Sequence, residues 1–380
     1  MASSFSRRRI LTTGAGAALG GLAATGTAQA ATASAPGSRT AAAGAEETRS
    51  LDELYRDAVA EGGKLVIYAG GDTATQQDAT AQAFRTRFPD IDLTMVVDYS
   101  KYHDVRVDNQ LATGTLVPDV VQLQTLQDFT RWKSQGKLLP YKPAGFSQLY
   151  KDFRDPQGAW TAIRVTAFSY MYGVEAVGGN APKSPQELVD PRWKGAIASS
   201  YPHDDDAVLY LFSLYQEAYG WDWIAKFAAQ QPQFNRGSHS PGVAVNAKQK
   251  AIGVGGSGSL TAPATAPTRF AVADGHPFMA WGQRAAILRK AAHPTAAKLY
   301  LNWALSAERQ QGSAWSVRTD ITPAGGLAPI WTYRNAHLDG FPRFMEDRAQ
   351  VERWKQTFAL YFGEVKGDPT PGVLGLHPGR

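Results

Sequence analysis

Short apolar runs alternate with stretches that carry their own helix-start signals, and this alternation narrows the chain to one fold class. Residues 64–69 (KLVIYA), 91–97 (IDLTMVV) and 118–123 (PDVVQL) each have the length of a buried strand. Thr75, Ser100 and Thr125 are placed to cap helices reaching Phe88, about Gly114 and Gly136. Strands joined by helices predict parallel pairing through right-handed crossovers, an α/β architecture. Ahead of them Ser50-Leu51-Asp52-Glu53 is a capping box, opening a helix that stops at Gly62-Gly63.

Residues 160–174 (WTAIRVTAFSYMYGV) break the rhythm: they have strand character with no helix after them, as a segment crossing between two lobes would. A second series follows, with a strand over 196–200, helices over 204–219, 221–229 and 242–249, and a strand over 251–254. Strands at 277–281 and 285–288 return to the first lobe, and helices over 294–305 and 342–362 finish the chain. The expected division is therefore two interleaved lobes, each a sheet flanked by helices: 51–167 with 277–325, and 168–276 with 326–380.

Residues 1–30 constrain the compartment. Arg7-Arg8-Arg9 precede Ile10-Leu11 and a weakly apolar Gly/Ala-rich stretch, after which Ala28-Gln29-Ala30 offers a signal peptidase the small residues it needs. The pattern resembles a twin-arginine (Tat) signal peptide cleaved after Ala30, and it is too short and glycine-broken to stay as an anchor. The expectation is a secreted protein, periplasmic or extracellular, soluble after cleavage, with residues 31–50 a flexible Ala/Ser/Thr-rich leader. Loss of those three arginines from the 39 Lys and Arg, against 34 Asp and Glu, lowers the formal charge from +5 to +2. No basic stripe marks a nucleic-acid surface, so nucleic acid is not an expected partner. Cysteine is absent, which excludes a disulfide framework, a thiolate metal site and a cysteine nucleophile.

Several phrases occur in a fixed order: 51–68 (LDELYRDAVAEGGKLVIY), 118–121 (PDVV), 136–141 (GKLLPY), 184–198 (SPQELVDPRWKGAIA), 285–288 (AAIL) and 293–310 (HPTAAKLYLNWALSAERQ). Together they resemble the extracellular solute-binding proteins of ABC importers, in the ferric-iron-binding-like branch of the type II periplasmic-binding fold. The resemblance implies a two-lobed α/β receptor with a ligand cleft between the lobes. It implies a small-molecule or ion solute, an ABC permease in the membrane as partner, a monomer, no cofactor and no catalysis. Many iron-binding relatives use paired tyrosines. No Tyr-Tyr pair occurs here, and Gln311 is followed by Gly312-Ser313-Ala314-Trp315-Ser316, which weighs against ferric iron.

In open α/β sheets, ligands sit beyond the carboxyl ends of strands, where helix N-termini point inward. The loops that qualify carry Gly70, Gly71, Asp72 and Thr73; Gln124 and Thr125; Tyr201, His203 and Asp204; and Ser238, His239 and Ser240. Trp281 stands at the returning crossover, and Tyr170 and Tyr172 alternate on the crossing strand, so that one can face the cleft while the other packs. Each has a plainer reading: a tight turn for the glycines, helix caps for the threonines and serines, core for Trp281. His203-Asp204-Asp205-Asp206 is the sharpest chemical feature. Three carboxylates at a helix start usually cap it and offset its dipole. The alternative is a cation site of carboxylate oxygens with His203 as a nitrogen ligand. Helix N-termini favour an anionic group on the ligand, the aspartates oppose it, and the sign stays open.

Enzyme signatures fail on inspection. Gly255-Gly256-Ser257-Gly258-Ser259 lacks the final glycine of a nucleophile elbow, and the seven histidines are too scattered for a zinc site. Residues 253–258 fit G-x-G-x-x-G, but Pro263 and Pro267 fall where its helix should begin. The resulting expectation is a solute receptor that closes on its ligand, with a metal-binding version of the same receptor, a secreted hydrolase and a protein-interaction module as the alternatives.

Overall fold

The computed structural model describes residues 44–368. The signal peptide expected over 1–30, the leader over 31–43 and residues 369–380 lie outside the described residues. The leader does not stay free as far as Ser50. Glu47 accepts from Tyr141 Oη at 2.9 Å and pairs with Arg49 at 2.7 Å, and Glu46 accepts from Ser147 N at 2.6 Å. Charged side chains at 46, 47 and 49 give these residues partners of their own.

The capping box forms as expected. Ser50 Oγ accepts from Glu53 N at 3.2 Å, and Glu53 accepts from Ser50 N at 2.7 Å, starting α1 (Leu51–Glu61). Then come β1 (Lys64–Gly70), α2 (Asp78–Arg87), β2 (Asp92–Asp98), α3 (Ser100–Thr113), β3 (Val120–Leu123) and α4 (Leu126–Ser134). β1 lies between β2 and β3 and pairs with both in parallel. Beyond them are β4 (Thr161–Gly173), α5 (Val174–Val177), β5 (Ile197–Ser200), α6 (Asp206–Ala229), β6 (Gln233–Asn235), α7 (Ser240–Asn246), β7 (Ile252–Gly256), β8 (Thr268–Ala271) and β9 (Met279–Ile287). The chain finishes with α8 (Pro294–Ala304), α9 (Ala307–Gln310), α10 (Gly340–Glu346) and α11 (Arg348–Phe362).

Among the described residues the strands form one sheet in the order β2-β1-β3-β9-β4-β7-β5-β6, with β8 added to β4. Its two ends are parallel and its middle is antiparallel. β4 changes partners along its length. Thr161 to Phe168 lie against β9, and Ser169 to Tyr172 against β7. Packing follows the same division. One core gathers α1, α2, α8 and the β1 end of the sheet around Phe84, Trp303 and Tyr300, and a smaller cluster around Trp132 covers β3. A separate core forms around α6, whose residues Ala207 to Tyr215 are all buried, with Trp281, Phe341 and Phe358 packed on it.

Several expected boundaries move for identifiable reasons. α2 begins at Asp78, not at Thr75, and Ser100 is the first residue of α3 rather than its cap. Its Oγ instead accepts from Gln124 N at 2.9 Å. Thr125 holds the N-cap position of α4 without a side-chain bond. The two returning strands are one, β9, in which Gly282 is required by close packing: a Cβ there would lie 2.7 Å from Ala162 Cβ and from the Phe153 ring. The break expected at Gly220 stays in place: α6 spans both expected helices, with that residue non-helical at φ 80° and ψ 172°. The last expected helix divides at Asp347, whose carboxylate caps α11 by accepting from Gln350 N at 2.9 Å.

The N-terminus of α8 is capped from a distance. Glu61, the last residue of α1, accepts from Thr295 N at 3.0 and 2.9 Å and from Ala296 N at 3.1 Å. This bond set ties the first helix to the helix that packs beside it and offsets the α8 dipole. Glu61→Ala is expected to lower unfolding free energy by about 0.5–2 kcal/mol, the usual cost of a lost N-cap. Glu61→Gln should recover part of that, measured as the denaturant midpoint at constant slope.

Candidate functional site

Where β4 passes between the two cores, it floors a cavity of about 540 Å³, inside the range of small-molecule sites, about 300–1,000 Å³. Residues 163–168 form the floor. The ends of β1 and β3 bring Gly70, Gly71, Asp72, Gln124 and Thr125, and Tyr99, just before α3, and Lys101, in its first turn, join them. Asp204 to Asp206, Gly237 and Ser238 form the opposite side, while Trp281, Tyr300, Trp303, Arg309 and Trp315 close one wall. A Cβ at Gly70 would collide with Ser100 Oγ, so the glycine there serves close approach of β1 to α3.

Protein groups bridge the mouth. Asp72 Oδ2 accepts from Ser238 Oγ at 2.7 Å and from His239 N at 3.0 Å. Lys101 Nζ donates to Asp204 Oδ1 at 2.7 Å and to the Asp204 carbonyl at 2.8 Å, and Gln124 Nε2 donates to Asp205 Oδ1 at 3.2 Å. These three contacts join the β1–β3 end of the sheet to the start of α6 and the loop before α7.

The acidic run is committed to protein partners. Asp204 pairs with Lys101 and lies 3.6 Å from Arg236; Asp206 pairs with Lys355 at 2.7 Å. Asp205 is the N-cap of α6, its Oδ1 accepting from Ala207 N at 2.9 Å and Val208 N at 3.1 Å. Asp205 is half-buried, and enclosure by protein, with the Asp72 charge nearby, raises its carboxyl to about 7. Burial and the charges of Asp72 and Asp204 push the Tyr99 phenol well above its ordinary value, which opposes a phenolate ligand. No group of three or more His, Cys, Asp and Glu side chains among the described residues is arranged to hold a metal ion.

Eight of the residues singled out from sequence line this cavity: Gly70, Gly71, Asp72, Gln124, Thr125, Asp204, Ser238 and Trp281. Seven do not. Tyr170 is buried and donates to the Pro182 carbonyl at 3.0 Å, and Tyr172 packs against the α6 core, so neither tyrosine lines it. Tyr201 stacks on Phe234, and His203 Nε2 lies 2.8 Å from the Gly363 carbonyl, which turns the imidazole away from a ligand role. Thr73 and Ser240 are off the lining, and His239 contributes its backbone N–H to Asp72.

Sequence reasoning missed Arg164 and Arg309. Arg164 rises from the cavity floor and Arg309 lies over the Trp303 ring at 4.5 Å. Among the described residues neither has a carboxylate within ion-pairing distance. The available signal was a lone arginine in the apolar run 161–168.

A family model for bacterial extracellular solute-binding proteins matches residues 117–324. No curated protein sequence matches. Three solved structures are similar in fold: iron-bound HitA from Pseudomonas aeruginosa (TM-score 0.61, 17% identity, 78% of this chain and 99% of that one), AfuA from Actinobacillus pleuropneumoniae with fructose-6-phosphate bound (0.61, 18%, 79% and 99%), and an ABC-transporter substrate-binding protein from Agrobacterium tumefaciens (0.63, 14%, 79% and 94%). The likeness establishes the type II periplasmic-binding architecture.

The raised Asp205 carboxyl sets a pH dependence. Unfolded, it titrates near 3.8; folded, near 7. Between those values the folded state holds the extra proton, so the contribution of Asp205 to stability is greatest below the lower value and falls as pH rises toward 7, by up to about 1.4 kcal/mol per pH unit. Asp205→Asn, an equivalent cap, is expected to flatten that slope and to exceed the parent protein in unfolding free energy at pH 8.

Proposed function

The chain belongs to the bacterial extracellular solute-binding proteins, and from that membership we propose that it is the receptor of an ABC importer, capturing a small solute in the β4 cavity and presenting it to a membrane permease. Members of the family are receptors, not enzymes. The observation that carries this reading is the cavity itself: it has the volume of a small-molecule site, and both halves of the sheet supply its walls.

In this reading the lobes are 51–167 with 277–325, and 168–276 with 326–380. They close by bending where β4 and β9 cross, each contributing half the ligand contacts, so the ligand favours the closed state by its differential affinity. The bridges from Asp72, Lys101 and Gln124 are the contacts that opening must break. The working form is a monomer. A metal-carrying version has less support, because the carboxylates nearest the cavity already have partners.

Two measurements test the proposal. A solute that fits should shrink the radius of gyration in small-angle scattering and raise the unfolding free energy, by about 2.7 kcal/mol at a hundredfold excess over Kd. A broad screen of ions, phosphates, carboxylates, sugars and polyamines that moves neither quantity would count against the receptor. For export, we propose that residues 1–30 direct the twin-arginine route. Replacing Arg7 and Arg8 together with lysine should leave precursor in the cytoplasm, and normal secretion of that variant would refute the route.

A further inference from the structure

Building on the receptor reading, we propose that the cargo is an organic anion whose phosphate or carboxylate group is held by Arg164 and Arg309. Arg164 lines the cavity and is an exposed residue, yet the protein packed around its guanidinium disfavours the charge and lowers its affinity for its own proton. Arg309 lies over the Trp303 ring at the adjoining wall. Tyr300, whose hydroxyl donates to Gln122 Oε1 at 2.6 Å, lines the same cavity, and both guanidinium charges oppose the rise that burial imposes on its phenol.

Every carboxylate that lines this cavity is elsewhere engaged: Asp72 with Ser238 and His239, Asp204 with Lys101, Asp205 with the α6 amides, and Asp206 with Lys355. The two arginines therefore face the cavity with their charge uncompensated. Thr125 also lines this cavity, 4% exposed, with its Oγ1 enclosed and without a hydrogen-bond partner, so the walls must move before a bound acceptor reaches it. A planar guanidinium matches the paired oxygens of a carboxylate or phosphate, which a neutral sugar hydroxyl or a metal ion does not offer.

The test titrates the full mature chain with matched probes by calorimetry and thermal shift. Fructose 6-phosphate and glycerol 3-phosphate are set against fructose and glycerol, succinate and citrate form the carboxylate arm, and putrescine the cationic arm. Binding is expected for at least one anion and not for its neutral parent, with the phosphate and carboxylate arms separating the two head groups. Arg164→Gln should weaken that anion about tenfold or more, since charge-assisted bonds are lost. Arg309→Gln should weaken it less, because its exposed side chain is screened, and Arg164→Lys should fall between parent and Arg164→Gln. Circular dichroism checks that each variant is folded, and Arg309→Gln keeps the test open if Arg164→Gln is not. Preferred binding of putrescine or of a neutral sugar, or unaltered anion affinity in folded Arg164→Gln, overturns the anion site and leaves the receptor standing. Failure of all three probe classes overturns the anion site, and with no scattering change in the wider screen it removes the receptor reading too.

Discussion

The antiparallel pairing of β4 with β9 is the constraint on which the remaining structure hangs. These two long strands are the middle of the sheet, and parallel units lie outside them on both sides. β9 passes from β4 to β3, and β4 passes from β9 to β7, so each strand belongs to both cores. A slip of one residue would turn Arg164 off the cavity floor and expose the face that Ile163 buries. Gly282 helps hold the register, since only a residue without a Cβ lets Ala162 and Phe153 pack against the middle of β9.

Because the chain crosses between cores at this pairing, the residues that face one another across the cavity come from distant parts of the sequence. Lys101 meets Asp204, Gln124 meets Asp205, and Asp72 meets Ser238 and His239. Contacts of this kind are poor sources of net stability: a half-buried ion pair offsets its attraction with lost hydration. They are better suited to setting which arrangement of the lobes is preferred. Permanent stability comes instead from the apolar cores, where Trp132, Trp281 and Trp303 are each fully enclosed.

What was legible in the sequence was what depends on neighbours along the chain. The capping box at Ser50, the first three strands, the crossing segment and the break at Gly220 are local patterns, and all four are present. Errors arose where a residue's partner lies far away. Ser100 has a cap residue's chemistry but bonds Gln124, and Gly282 resembles a strand break until Phe153 packs over it. β6 and β8, three and four residues long, lack enough alternation to stand out. At the candidate site, reading the loops after strands leads to Asp72, Gln124 and Ser238 on the cavity lining, because the architecture fixes where strands end. The choice between Tyr170 and Tyr172 had no correct answer, since their stretch of β4 has left β9 for β7 and runs through the other core.

The acidic run shows why residue types in a row do not determine the charge of a site. Asp204, Asp205 and Asp206 point along three directions from the start of α6, and each finds a different compensation: a lysine across the mouth, the helix amides, and a lysine of α11. Their negative charge is used within the protein. The arginines are distributed in the opposite way, one inside an apolar strand and one after α8, and among the described residues no carboxylate reaches either. Uncompensated charge decides what a cavity attracts, and here it is positive although aspartates outnumber arginines on the lining. A bound anion would be held best when the walls are close around it, so the same group that selects the ligand would couple its capture to closure of the lobes.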